Sequence, residues 1–214
     1  MERKNDYSNN QPLSVLLKIQ TFTGGAVSTN GYLLQTEKTN VLIDTPSGVS
    51  SWLKEQNIAP DAVLLTHQHF DHVEDASRFQ SLLYAFSQSS PDLIREKEAQ
   101  LMGIPCEVPS YTIDNLLTEE KELTIGDLTF ELRHLPGHSP DSLVYYLPSE
   151  NTAIVGDTLF RGGIGRTDLP HGDHNALFDG IASQLMTLPP DTTLYPGHGP
   201  KTQPQLETGF EAWR

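Results

Sequence analysis

Residues 61–72 read DAVLLTHQHFDH. An apolar run suited to a buried strand ends directly in three histidines and an aspartate. No other feature constrains the fold as much. A strand that stops at such a cluster delivers it to the edge of a sheet, where a chain leaving the sheet exposes its side chains. His67 and His69 are two positions apart, so on extended backbone they face the same way. Asp71 and His72 fall in the following loop or first helical turn and aim differently. With eight histidines in 214 residues, three in so short a stretch are not an accident of composition. The segment reads as halves of two adjacent metal sites. Imidazole and carboxylate without thiolate suit zinc, iron or manganese.

Four residues cannot close two sites that each need about four donors. Further donors are expected at other strand ends, and three candidates stand there. His138 follows LTFELRH, Asp157 ends TAIVGD, and His198 follows TTLY in YPGHGP. Each lies in a glycine-containing turn that lets a side chain project over a sheet edge.

The rest of the chain supplies the sheets. Strand-like runs occupy 13–22, 30–35, 40–45, 61–67, 81–86, 128–135, 141–147, 152–157 and 192–197. Helix-like runs lie between them. The run at 47–57 has a serine cap candidate. The run at 90–103 opens Ser-Pro-Asp and stops at Gly103, as a cap, an N1 proline and a terminal glycine would. The runs at 173–189 and 204–214 complete the set, the last one short. Strands paired early and late predict a layered α/β protein with two mixed sheets rather than one parallel sheet.

Composition narrows the partners. Asp and Glu number 28 against 14 Lys and Arg, a formal charge of −14, which disfavours nucleic acid. No apolar run of about 18 residues predicts a membrane span. The opening MERKNDYSNNQPL has no apolar core of a secretory signal. Residues 1–11 are expected to be a tail, with one domain over 12–214. The single cysteine, Cys106, fits a reducing, cytoplasmic setting and is a poor nucleophile candidate, with no Cys or His near it in sequence.

The ordered motifs THQHFDH, PGHS, GDTLF and GHGP resemble the metallo-β-lactamase superfamily, over residues 13–202. The resemblance implies a four-layer αβ/βα sandwich with two mixed sheets flanked by helices and a dinuclear site at one sheet edge. It assigns His67, His69 and His138 to a first metal, and Asp71, His72 and His198 to a second, with Asp157 bridging. Zinc is the expected metal. The β-lactamases of this fold usually lack the histidine after the motif aspartate and use a cysteine instead, whereas His72 is present here and Cys106 is misplaced. Flavodiiron members carry glutamate at the position of His69, and nucleic-acid-processing members carry a large insertion. GDTLFRGGIGRTDLPHGD and PGHGPKT are similar to the glyoxalase II-like branch, in its short hydroxyacylglutathione hydrolase form.

That branch implies hydrolysis of a small-molecule thioester such as S-lactoylglutathione by a metal-bridging hydroxide, which Asp71 would orient. A thiolate, with a thiol pKa of about 8.5, leaves without a strong acid, and no dedicated acid is evident. Alternatives are a mononuclear iron persulfide dioxygenase using His67, His138 and Asp157, and a lactone or ester hydrolase. The C-terminal helical domain that holds glutathione in glyoxalase II is not expected here. Arg166 lies where that enzyme has a glutathione-contacting lysine; a structural ion pair with Asp168 is the other reading. Asp75 and Asp141 stand where the family often has glycine. His134 is expected to be buried, structural or orienting a ligand. His171 and His174 are expected in solvent, and Tyr195 and Phe160 in core or pocket wall.

Overall fold

A computed structural model describes residues 16–214. The expected tail, 1–11, and the first residues of the strand expected from 13 lie outside them. The first sheet contains β1 (Lys18–Gly24), β2 (Thr29–Gln35), β3 (Asn40–Ile43), β4 (Ala62–Leu64), β5 (Leu82–Ala85) and β6 (Asn115–Leu116), in that spatial order. β1, β2 and β3 are antiparallel; β3 through β6 run parallel. The second sheet contains β7 (Glu122–Ile125), β8 (Leu128–His134), β9 (Leu143–Leu147) and β10 (Thr152–Gly156). A small hairpin, β11 (Leu159–Phe160) and β12 (Gly163–Ile164), precedes β13 (Thr193–Pro196), which joins the second sheet beside β10. β10 and β13 are parallel, and the other pairs of this sheet antiparallel. Both sheets are mixed, as expected.

Strand alternation explains the layers. Leu34, Val41, Ile43 and Leu64 face inward to meet Phe130, Leu132, Tyr145 and Ile154 of the other sheet. Their neighbours Leu33, Leu42, Val63 and Leu83 point to the opposite face. There they pack on Val49 and Leu53 of α1 (Val49–Glu55) and on Val73 of α2 (Phe70–Val73). Both faces of these strands are buried, so they are apolar throughout rather than alternating. Burying one such Leu or Val contributes about 1.5–3 kcal/mol. On the second sheet, Val144, Tyr146, Val155 and Leu194 turn outward to a helical layer. The result is helix, sheet, sheet, helix: the αβ/βα sandwich.

The helices depart from expectation in two places. The run at 90–103 is two helices, α3 (Pro91–Ile94) and α4 (Glu96–Leu101). Between them Arg95 is left-handed at φ 57°, which no helix accommodates. The N-terminus is as expected, Ser90 Oγ accepting from the Asp92 amide. The second departure is the cap of α1. No serine caps it; Gly48 occupies that position, and Asp75 accepts from the Gly48 amide (3.1 Å), the Ser50 amide (2.9 Å) and Ser50 Oγ. Asp75 therefore belongs to a helix end rather than to the metal loops. The fifth helix, α5 (His174–Gly180), runs on into a π-helical turn at Ile181–Leu185, and Leu177, Phe178, Ile181 and Leu185 cover the second sheet. Among the described residues, no helix is long and apolar enough to cross a membrane.

Candidate metal centre

The cluster forms where the chain leaves four strands on one edge. β4 feeds His67 and His69, and α2 begins at Phe70, so Asp71 and His72 sit in its only turn. β10 ends at Gly156, whose φ of 52° and register slip against β13 turn Asp157 over the edge. A side chain at Gly156 would strike Thr66. β13 leads to His198, and the turn after β8 leads to His138.

All seven predicted residues meet there. Donor atoms of His67, His69 and His138 lie within 4.8 Å of one another, as do those of Asp71, His72 and His198. His67, His72 and Asp157 meet the same condition and link the two sets. The Asp157 carboxylate lies 3.5 Å from His138 Nε2, 3.4 Å from His72 Nε2 and 3.3 Å from His198 Nε2. It stands between the sets. Gly197 makes room, since a Cβ there would collide with the Asp157 carboxylate and His72.

The two sets differ in protonation: the first is held as neutral imidazoles, whereas in the second the carboxylates retain protons on the imidazoles, which a bound cation would have to displace. Burial, reinforced by neighbouring imidazoles, holds His67 and His69 well below the ordinary histidine range; burial also lowers His138. In the second set burial opposes protonation of His72, but Asp71, Asp44 and Asp157 outweigh it and raise it well above that range. His198 is pushed up to about 10: burial opposes this, and the Asp157 and Asp71 carboxylates prevail. Asp71 falls to about 2 despite its burial, because His72 and His198 face it.

Nε2 of His67, His69, His72 and His138 and Oδ1 of Asp157 are buried without a hydrogen-bond partner among the described residues. Buried polar atoms ordinarily find partners. Convergent unpartnered imidazole nitrogens and a carboxylate fit divalent metal ions, which would satisfy them together.

One anchoring residue escaped the sequence reading. Asp44, left-handed at φ 61° beyond β3, accepts from His72 Nδ1 (2.8 Å), the Thr66 amide (2.7 Å) and Thr66 Oγ1 (2.7 Å). Thr66 Oγ1 thus accepts in turn from His67 Nδ1 at 3.1 Å. One carboxylate holds the Nδ1–H of a histidine in each set and turns both Nε2 atoms toward the cluster, where the His72 Nε2 would ligate once its proton is displaced. His138 is set the same way, donating Nδ1–H to the Arg166 carbonyl at 2.8 Å. Thr29 Oγ1 donates to Asp71 at 2.6 Å. The signal for Asp44 was an aspartate closing an apolar strand in NVLID, the same pattern that marked Asp157.

Other expectations resolve individually. The Arg166 guanidinium makes a bidentate pair with Asp168, both partners at least half exposed, at the pocket rim. Asp141 is bound by Ser139 Oγ (2.5 Å) and Gln68 Nε2 (3.1 Å), so its charge is absorbed locally. His134 is exposed rather than buried, stacked on Phe86 and donating to the Pro140 carbonyl; it does not reach the cluster. The Cys106 thiol is pushed up to about 11, chiefly by burial and then by Glu74, which leaves it a weak nucleophile.

The cluster opens into a cavity of about 390 Å³. Phe160, Ile164, Leu169, Val27 and Met102 give it apolar walls, with Arg95, Glu98 and Arg166 among them.

Comparison with known proteins agrees with this architecture. Residues 24–198 match the model of the metallo-beta-lactamase superfamily. A curated relative, the hydroxyacylglutathione hydrolase GloC of Haemophilus influenzae, is 31% identical over 197 residues, covering 87% of this chain and 92% of that one. The crystal structure of the BLEG-1 B3 metallo-beta-lactamase superposes with a TM-score of 0.81 at 36% identity, covering 90% of this chain and 97% of that one. The structure of TTHA1623 in a di-iron-bound form gives 0.74 at 33% identity, over 88% and 96%.

Proposed function

The chain belongs to the metallo-beta-lactamase superfamily as a metal-dependent hydrolase, and from that premise we propose that it hydrolyses a small-molecule thioester, S-lactoylglutathione or a related hydroxyacyl thioester. One observation supports the two-ion hydrolase on which this reading rests: two triads of donors stand on either side of Asp157. His67, His69 and His138 would hold one ion and Asp71, His72 and His198 the other, with zinc the metal we favour. Bound there, two divalent ions would supply a nucleophilic hydroxide near neutral pH and polarise the scissile carbonyl.

The chain supplies the rest. Thr29 occupies one Asp71 oxygen, which fixes the carboxylate so that it can orient the attacking hydroxide. Asp44 and the Arg166 carbonyl keep three imidazoles in register. Phe160, Ile164 and Leu169 line the cavity and would form an apolar wall beside the acyl group. The departing thiolate needs no acid, consistent with a pocket whose ionisable groups serve as donors or ion pairs. Arg166 would meet the outer part of the substrate by exchanging Asp168 for a substrate carboxylate.

The name of GloC supports the thioester, and the di-iron form of TTHA1623 supports two ions. The test is metal analysis with an activity panel on purified, metal-loaded protein. Two ions per chain with thiol release from S-lactoylglutathione is the expected result. Turnover confined to lactones, esters or β-lactams replaces the substrate class. One iron with oxygen uptake on glutathione persulfide replaces the reaction.

A further inference from the structure

Arg95 is a buried cation whose hydrogen-bonding capacity is only partly used among the described residues. It is 3% exposed, at the break between α3 and α4. Its Nη2 donates to the Pro170 carbonyl, tying the helix break to the loop that carries Arg166. Nε and Nη1 are buried and have no hydrogen-bond partner among the described residues. The nearest carboxylate, Glu98, stands 3.8 Å from Nη1, too long for a hydrogen bond. The Asp141 oxygens are already taken by Ser139 and Gln68.

A buried guanidinium presents a rigid fork of donors, and leaving two of its nitrogens unmatched is costly. Groups of this kind in a cleft call for an anionic partner. The position supplies one. Arg95 lines the metal cavity beside His69 and also lines a neighbouring hollow of about 530 Å³. The metal cavity is apolar in its walls, whereas the hollow beyond is mixed: Ser89, Ser110, Tyr111, Lys97 and His171 lie around it together with Asp92, Glu96 and Glu98, so Arg95 and Lys97 are the cations there that an anion would meet. A substrate seated across the two would place an apolar body over the donor cluster and a polar extension past Arg95.

We propose that Arg95 is a specificity residue that receives a carboxylate on the thiol side of the substrate, at the junction of the metal cavity and the neighbouring hollow. The proposal rests on the thioester reading of the same cleft. It assigns the inner anion contact to a buried, unmatched guanidinium and leaves to Arg166, which must first give up Asp168, a second carboxylate farther out. Glu98 is the residue a carboxylate displaces as the loose counter-ion.

The test uses full-length, metal-loaded protein and two thioethers that cannot be hydrolysed, benzylthio-propanoate and its neutral amide, benzylthio-propanamide. By calorimetry the wild type binds the carboxylate about tenfold to a hundredfold more tightly, as expected for a charged hydrogen-bond pair. Arg95→Gln brings the two probes level, and Arg95→Lys keeps part of the preference, having charge without the fork. Glu98→Gln leaves Arg95 in place and tightens the carboxylate alone. Equal binding of the two probes by the wild type, or an undiminished preference in Arg95→Gln, overturns the proposal. If circular dichroism shows Arg95→Gln unfolded, unchanged carboxylate binding by Glu98→Gln overturns it. A matched pair of thioesters, with and without the thiol-side carboxylate, separates the two readings. Probe discrimination without thioester turnover removes the thioesterase reading and retains Arg95. Turnover of both thioesters at equal kcat/KM removes Arg95 and retains the thioesterase.

Discussion

The two donor sets are neighbours built on opposite principles. His67, His69 and His138 are fully buried, all imidazole, and held neutral by their surroundings. Asp71, His72 and His198 mix carboxylate with imidazole; they balance charge among themselves, and His198 is 28% exposed. The first set is closed on the protein side and preformed for a cation by desolvation. The second is assembled by ion pairs and open to the cavity. The contrast teaches that a dinuclear frame need not be symmetric, even when Asp157 and Asp44 tie both halves together.

The largest effect should come from erasing what the halves share. Asp157→Asn is expected to lower kcat by about 10³-fold or more and to reduce the metal content of both sets, since several kcal/mol of charge stabilisation depend on a bound ion. Metal analysis with initial rates checks it; loss confined to one set would break the picture of a shared carboxylate. Next, His198→Gln should leave the buried set intact. The variant should retain about one ion per chain, with activity down about a hundredfold. Brief chelation of the wild type should likewise remove the exposed ion first. Simultaneous loss of both ions in either experiment would mean that the sets are not separable.

Asp44→Asn sharpens the comparison further, because Asp44 orients one histidine in each set. We expect a fall of about 10–100-fold in metal affinity at both sites, the usual scale for a residue that orients a ligand. Titrations that find one site unchanged would sever the path through Thr66. The smallest effect belongs to Asp75→Ala. It removes the borrowed cap of α1 and should cost about 1 kcal/mol in a denaturant melt while leaving metal content unchanged. A loss of metal there would show that Asp75 communicates with the cluster after all.

Much of this was legible in the sequence, for a physical reason. Strand ends are where a donor can be held firmly and still project beyond the sheet, so His67, His138, Asp157 and His198 stood out by following apolar runs. The layers were legible because residues such as Val41, Leu42 and Ile43 are buried on both faces. What escaped was decided by partners distant in sequence. β6 and β7 were missed because edge strands carry polar residues, as Glu122 and Thr124 do, facing solvent. The helix over 90–103 breaks at Arg95, left-handed at φ 57°, although nothing in its spacing forbids continuation; its side chain reaches the Pro170 loop, a partner distant in sequence. The cap of α1 came from Asp75, 25 positions beyond Ser50. Asp44 has a role only once Thr66 and His72 are folded against it.

The edge that carries the cluster is also where the two sheets are stitched. Asn30 of β2 donates its amide to Gly197 and its side chain to Pro196 and Gly199, and Tyr32 donates to Pro196 at 2.5 Å. Asn30 and Pro196 are 166 positions apart. During synthesis, then, Asn30 and Tyr32 must keep water as their partner until residues 196–199 have been made. The histidines of residues 67–72 are made long before the residue that completes their second set. The strand pair that receives His198 is thus the clasp of the molecule, and the second donor set is completed only with its closing.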